Sequence, residues 1–494
     1  MKHKKIILAG KNRPEEIDQE RRKAMAALLA AGASLSGVAA TSILSACATS
    51  GANLRRQPAN QNNYSVTVLK SDRIAIIGAG AAGISAAHYL RERGYKNIVI
   101  FEELNRIGGK CCSIKIDGQV YDMGAVFTTS SYTEVMALAK RFQVELGDLQ
   151  GQDASVMLEQ EKLGFHTSSV ADKAALLGVS VEYLQKINMP EIQSVFSPGF
   201  RFLSPSLMVP FSEWMKKNSI SPKTLESFFG YTFTPFGYGY TNDVPAAYAI
   251  KYYENKLVTS LIQQSSNLKM VTRGYQNLWE NVAKNMDVRL NSPIEKIIRN
   301  RDSEMISIKT KNNSAIENFN FAILTSALDT SISFLDAEPM EREIFDRIKN
   351  YYYYTFAIQT PKNFPSTGFL PVNYSYDRRE HPLCWLKRWK DQDLAIFYVL
   401  SDRADNFDII ISNIFSDLSR HKFQLGKVRE ARCWKYFPHF KTPDLQNKIY
   451  DKLEALQGRG NMFFAGEIMN FSTVELTTRY SKYLVDQFFL AGTF

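Results

Sequence analysis

The segment that most limits what this chain can fold into is a strand, glycine turn, helix and second strand within residues 74–102. Ile74-Ala75-Ile76-Ile77 is apolar without alternation, the pattern of a strand buried on both faces, and Gly78-Ala79-Gly80-Ala81-Ala82-Gly83 follows directly. In this G-x-G-x-x-G turn Gly78 permits the tight reversal and Gly80 lets backbone approach a pyrophosphate. Gly83 lets the helix expected at 84–93 pack on the strand. That helix aims amide donors and a positive dipole end at the phosphates, and Ala82, in the turn just before it, is counted among the cofactor-binding residues. The second apolar strand, 97–101, ends in Glu102, a carboxylate placed to accept hydrogen bonds from a ribose diol. A parallel α/β fold around a dinucleotide follows.

The next residues narrow the choice of dinucleotide. Glu102 is followed by Glu103-Leu104-Asn105-Arg106-Ile107-Gly108-Gly109-Lys110, which resembles the second fingerprint of the flavin amine oxidase and phytoene desaturase superfamily. The resemblance implies FAD, with Arg106, Gly108 and Gly109 near its diphosphate and Lys110 as a cation beside it. Leu104 stands where that family often has an arginine. Tyr121-Asp122-Met123-Gly124-Ala125 is similar to the element whose backbone, here Gly124 and Ala125, passes close to the isoalloxazine. Residues 288–294 resemble the strand pair that meets the adenine at Ile294. Met462-Phe463-Phe464-Ala465-Gly466-Glu467 resembles the closing flavin motif, which implies Gly466 and Glu467 by the ribityl and phosphate region. Ser472-Thr473-Val474-Glu475 has the form of a capping box before a helix expected over 476–490. By resemblance its first amides, around Val474, face the flavin pyrimidine and stabilise negative charge there.

These elements are interleaved with stretches of different character. The chain therefore reads as a discontinuous Rossmann-type FAD-binding domain (71–150, 266–335 and 456–494) with an inserted α+β substrate domain (151–265 and 336–455), the architecture of the amine oxidases it resembles. Helices are expected over 170–188 and 211–218. About 420 residues after position 70 suffice for two domains with substantial cores.

Residues 1–47 read as an export signal. Arg21-Arg22-Lys23 precedes an uncharged stretch rich in Ala, Gly and Ser that ends in Leu44-Ser45-Ala46-Cys47. The arginine pair resembles a twin-arginine signal, and the ending resembles a bacterial lipobox whose cysteine is acylated. Ala24 and Met25 depart from the usual residues after the arginines, so the general secretion route stays open. The polar stretch 48–70 reads as a tether. The expected location is a lipid-anchored protein on the periplasmic side of a bacterial envelope. The net charge is +10, and eight basic and four acidic residues lie within 1–23, leaving +6 for the rest. That excess suits an anionic lipid surface, and no basic run with interleaved aromatics announces nucleic acid. Cys111, Cys112, Cys384 and Cys433 lack metal-ligand spacing, so no metal is expected; a Cys384–Cys433 disulfide is conceivable after export.

Aromatic residues crowd the stretches expected at the junction of the two domains. Tyr436-Phe437-Pro438 is similar to a stretch that, in monoamine oxidases, follows a flavin-linking cysteine and an aromatic cage wall. Counted without a gap, Arg432 takes the linking position; shifted by one, Cys433 takes it and Trp434 becomes the wall. Non-covalent FAD with Trp434 as a cavity wall is the favoured alignment. His439 reads as a core histidine or a base. The lysine that holds a water near flavin N5 in amine oxidases falls on Tyr354 and Thr355, and the second cage wall falls on Thr473. Trp434, Tyr354 and Thr473 are thus the expected substrate-cavity residues. The expected activity is hydride transfer from an apolar or aromatic small molecule to FAD, with O2 or another electron acceptor. Amine oxidation is the alternative, and a non-catalytic FAD-binding lipoprotein acting as an interaction module is the alternative of another class.

Overall fold

The computed structural model describes residues 68–149, 155–158, 163–166, 183, 185–220, 232–254 and 268–490. The expected signal, Cys47, most of the tether and most of the helix at 170–188 lie outside the described residues.

Five short strands form one parallel sheet in the order Asp287–Arg289, Ile98–Phe101, Ile74–Ile77, Phe321–Leu324, Met462–Phe464. Every residue of the three central strands is buried, as their unalternating apolar sequence requires. The sheet draws one strand pair from residues near 100 and the others from residues near 288, 322 and 463, so the chain leaves and returns twice. Helix Ala81–Glu92 crosses it and packs against the helix Val474–Phe488, where Ser481 Oγ donates to the Ala82 carbonyl at 3.0 Å. The second helix begins at Val474, two residues before the expected start. A three-stranded antiparallel sheet, beginning at Ile294, lies beside these elements.

The excursions build a seven-stranded sheet in the order Val428–His439, Lys349–Gln359, Leu394–Ser401, Pro382–Leu386, Thr367–Phe369, Ser155–Leu158, Leu163–His166. Helix Phe407–Arg420 covers one face, burying Ile410, Ile414 and Leu418 against Tyr354, Phe356 and Ile358. The other face turns toward the parallel sheet. Helix Phe211–Lys217 falls where the sequence places it. Arg388 joins the two parts: fully buried, it pairs with Asp122 and donates to the Val271 carbonyl at 2.6 Å. Asp122 also accepts from the Tyr275 amide at 2.8 Å and from Ser113 Oγ. Both charges are therefore compensated, as buried ions must be.

Candidate active site

A cavity of about 1060 Å³ runs between the two parts. Its first stretch is the glycine turn. Gly78, Gly80 and Ala82 line it, while Gly83 does not and serves packing: a Cβ there would lie 1.9 Å from the Gly78 carbonyl oxygen. Glu102 is buried and also lines the cavity. One carboxylate oxygen accepts from the Ala79 amide at 2.7 Å and the other from the Leu104 amide at 2.9 Å, which leaves lone pairs for a further donor. Burial pushes its pKa up, and the two amides oppose that rise.

Gly108, Gly109 and Lys110 follow along the wall, then Gly124 and Ala125. Gly124 is a close crossing, since a Cβ would lie 1.7 Å from the Lys110 carbonyl oxygen. Lys110 Nζ pairs with Glu467 Oε1 at 2.7 Å, and Ser472 Oγ donates to the other Glu467 oxygen at 3.2 Å. Gly466, Glu467, Thr473, Val474 and Ile294 also line the cavity. Arg106 lies just outside it, 5.9 Å from the Trp434 ring, and its Nη1 is buried without a hydrogen-bond partner.

FAD fits these residues. At Gly80 an added Cβ would meet only the Gly109 Cα, at 3.8 Å, so its missing side chain leaves room that no protein atom uses. The unpartnered Arg106 nitrogen suits a nearby anion. The helix Val474–Phe488 begins at the cavity wall, where Thr473 and Val474 line the space, so its positive end adjoins it.

The flavin containing amine oxidoreductase model matches residues 81–476. The chain belongs to this family. It is an FAD-dependent oxidoreductase of the amine oxidase superfamily, with the family's two-part α/β architecture. The chain is 22% identical over 451 residues to a polyenoic fatty acid isomerase of Ptilota filicina, covering 80% of this chain and 90% of that one. It resembles the structure of a CLA-producing fatty acid isomerase from P. acnes with a TM-score of 0.78 and 28% identity, over 86% of this chain and 100% of the other. A putrescine oxidase structure shares the fold alone, at TM-score 0.60 and 15% identity over 84% and 98% of the two chains.

The remaining wall comes from the seven-stranded sheet and its loops. Trp434 lines the cavity, and Thr473 does too while capping the last helix through its Oγ1, which accepts from the Leu476 amide at 3.1 Å. Tyr354 does not line it. It lies on the opposite sheet face, stacked on Phe356 and donating to the Arg403 carbonyl at 2.7 Å. Alternation along the strand gives the cavity face to Tyr353 instead, opposite Trp434 in register. Thr355, on Tyr353's face, donates to the Met123 carbonyl at 2.9 Å.

One other expectation is corrected, and three readings left open by the sequence are decided. The capping box at 472–475 does not form, because Thr473 is the cap and Glu475 turns away to accept from the Glu134 and Val135 amides of helix Thr133–Arg141. Cys433 is turned toward Tyr354, away from the cavity, and Arg432 pairs with Glu430, so neither is placed to link a flavin. Cys384 is a free thiol on the cavity wall, with no disulfide to Cys433. His439 is a core residue: its Nδ1 meets the Phe437 carbonyl at 2.8 Å, its ring stacks on Tyr351 and burial lowers its pKa to about 4.

Tyr238, Tyr252, Tyr398 and Phe236 on this wall were not singled out from sequence. Phe236 and Tyr238 fall in the run Thr234-Pro235-Phe236-Gly237-Tyr238-Gly239-Tyr240, whose aromatic and glycine content is the local signal that could have found them. Among the described lining residues, those from 126–149, 236–252 and 353–398 are all uncharged.

Proposed function

We propose that the chain moves or introduces double bonds in a long polyunsaturated acyl chain, as a lipid-anchored enzyme on the periplasmic side of a bacterial envelope. The carrying observation is the uncharged wall at 126–149, 236–252 and 353–398, which continues into the half of the same cavity lined by the glycine turn, Glu102 and Glu467. An ammonium would find no carboxylate among those described side chains, and an unpaired buried charge costs several kcal/mol. A hydrocarbon chain meets the opposite situation, contributing roughly 0.8 kcal/mol per buried CH₂. The fatty acid isomerases among its relatives support the same substrate class. Bound FAD supplies a hydride acceptor, and return of that hydride to another carbon shifts a double bond without net oxidation. The face of Tyr353 on the same wall then stabilises positive charge developing on the acyl chain. The location rests on Arg21-Arg22-Lys23 and Leu44-Ser45-Ala46-Cys47.

Anaerobic mixing with linoleic acid tests the substrate. We expect conjugated-diene absorbance to rise at an oxidised flavin spectrum for isomerisation, or flavin bleaching for dehydrogenation. Neither change with linoleate, together with rapid bleaching by putrescine, would replace this reading with amine oxidation.

A further inference from the structure

Two aromatic residues on one strand tie the apolar wall to the backbone on either side of the FAD-lined half. Trp434 Nε1 donates to the Met123 carbonyl at 2.6 Å, and Tyr436 Oη donates to the Ser472 carbonyl at 3.3 Å. The two are separated by one residue on the strand Val428–His439, and both line the cavity. Thr355, from the neighbouring strand, gives the Met123 carbonyl its second donor. Tyr238 hydrogen-bonds Tyr436, so that hydroxyl is held from both sides. Burial keeps both phenols neutral by raising their pKa values well above the usual one.

The strand is shaped for this. Phe437, directly after Tyr436, has φ +50°, a left-handed conformation that costs a bulky residue of order 1–3 kcal/mol. Gly237 gives the opposing room, since a Cβ there would lie 2.8 Å from Tyr353 and 3.0 Å from Tyr436. In a trans peptide the N–H points opposite to the preceding carbonyl. Holding the Met123 and Ser472 carbonyls therefore fixes the directions of the Gly124 and Thr473 amides, both on cavity-lining residues.

We propose that Trp434 and Tyr436 are positioning residues, a bridge across the flavin seat that sets the distance and angle between acyl chain and ring. The proposal rests on the reading that Met123–Ala125 and Ser472–Val474 seat the flavin. A wall that served packing alone would need the rings but not their polar atoms.

Trp434→Phe and Tyr436→Phe keep a ring and remove the hydrogen bond. For each variant and the double variant we would measure FAD binding to apoprotein, the apoprotein's thermal midpoint, the visible spectrum of the bound flavin, and kcat and KM with linoleate. We expect FAD affinity and apoprotein midpoint close to wild type, an altered flavin band, and kcat lower by roughly tenfold or more. The double variant should lose less than the product of the two single losses, because both bonds hold one strand. Unchanged spectra and kcat, or losses that multiply, would overturn the bridge. Loss of FAD from the single variants would overturn it differently, by making them cofactor contacts. A wild-type protein that fails to bind FAD would refute the seat itself; one that binds FAD but ignores linoleate would refute the substrate, while the flavin spectra still decide the bridge.

Discussion

Gly80 and Gly83 lie three residues apart in one turn, yet they are glycine for different reasons. At Gly83 the neighbour is protein, because a Cβ would collide with the Gly78 carbonyl where helix meets strand. At Gly80 the backbone is extended, with φ −77° and ψ −174°, and nothing but the Gly109 Cα lies within reach of a Cβ. Gly80→Val should therefore abolish FAD binding while the apoprotein unfolds at the wild-type temperature. Gly83→Ala should lower that temperature with or without cofactor, an overpacking cost of about 1–3 kcal/mol. Titration of apoprotein with FAD and a thermal melt separate the two. Equal melting losses would show that the space at Gly80 is used by protein. Glycine spacing, a buried apolar strand and a terminal acid are local signals, so Gly78, Gly80 and Glu102 could be read from the residues themselves, whereas Gly108 to Lys110, Gly124, Ala125, Ile294, Gly466, Glu467 and Val474 needed the family resemblance.

Elements were harder to read where their meaning depends on distant partners. The tyrosine run 351–354 alternates faces, and which parity faces the cavity is decided by helix Phe407–Arg420 covering Tyr354 from some fifty residues away. No local pattern carries that choice, and the alignment with the family's lysine, which pointed to Tyr354, does not carry it either. Glu475 misled in the same way. Its sequence context is that of a capping box, but its carboxylate caps helix Thr133–Arg141 through the Glu134 and Val135 amides at 3.1 and 3.0 Å, with Thr133 Oγ1 also donating to it. Those are donors that the first turn of that helix cannot satisfy itself. Glu475→Ala should cost about 2 kcal/mol in a urea titration of the apoprotein. FAD binding should survive, since Thr473 still caps the last helix. An unchanged urea midpoint would show that helix Thr133–Arg141 does not depend on the distant cap.

For the molecule as a whole, the proposed location and the fold make separate demands. If Cys47 carries the anchor, wild-type protein expressed in an exporting bacterium should fractionate with membranes and begin at Cys47. Cys47→Ser should leave an unacylated chain that keeps the preceding residues. Wild-type protein that is wholly in the soluble fraction, or that retains those residues, would remove the anchor from the proposal. The order of strands in the parallel sheet has its own consequence. Met462–Phe464 pairs with Phe321–Leu324, which pairs with Ile74–Ile77, so the sheet that carries the glycine turn takes one of its two edge strands from residues nearly 400 positions further along. A chain clipped before residue 462 would keep the glycine turn but lose that edge strand together with Gly466, Glu467 and the helix capped by Thr473, and with them one wall of the cavity.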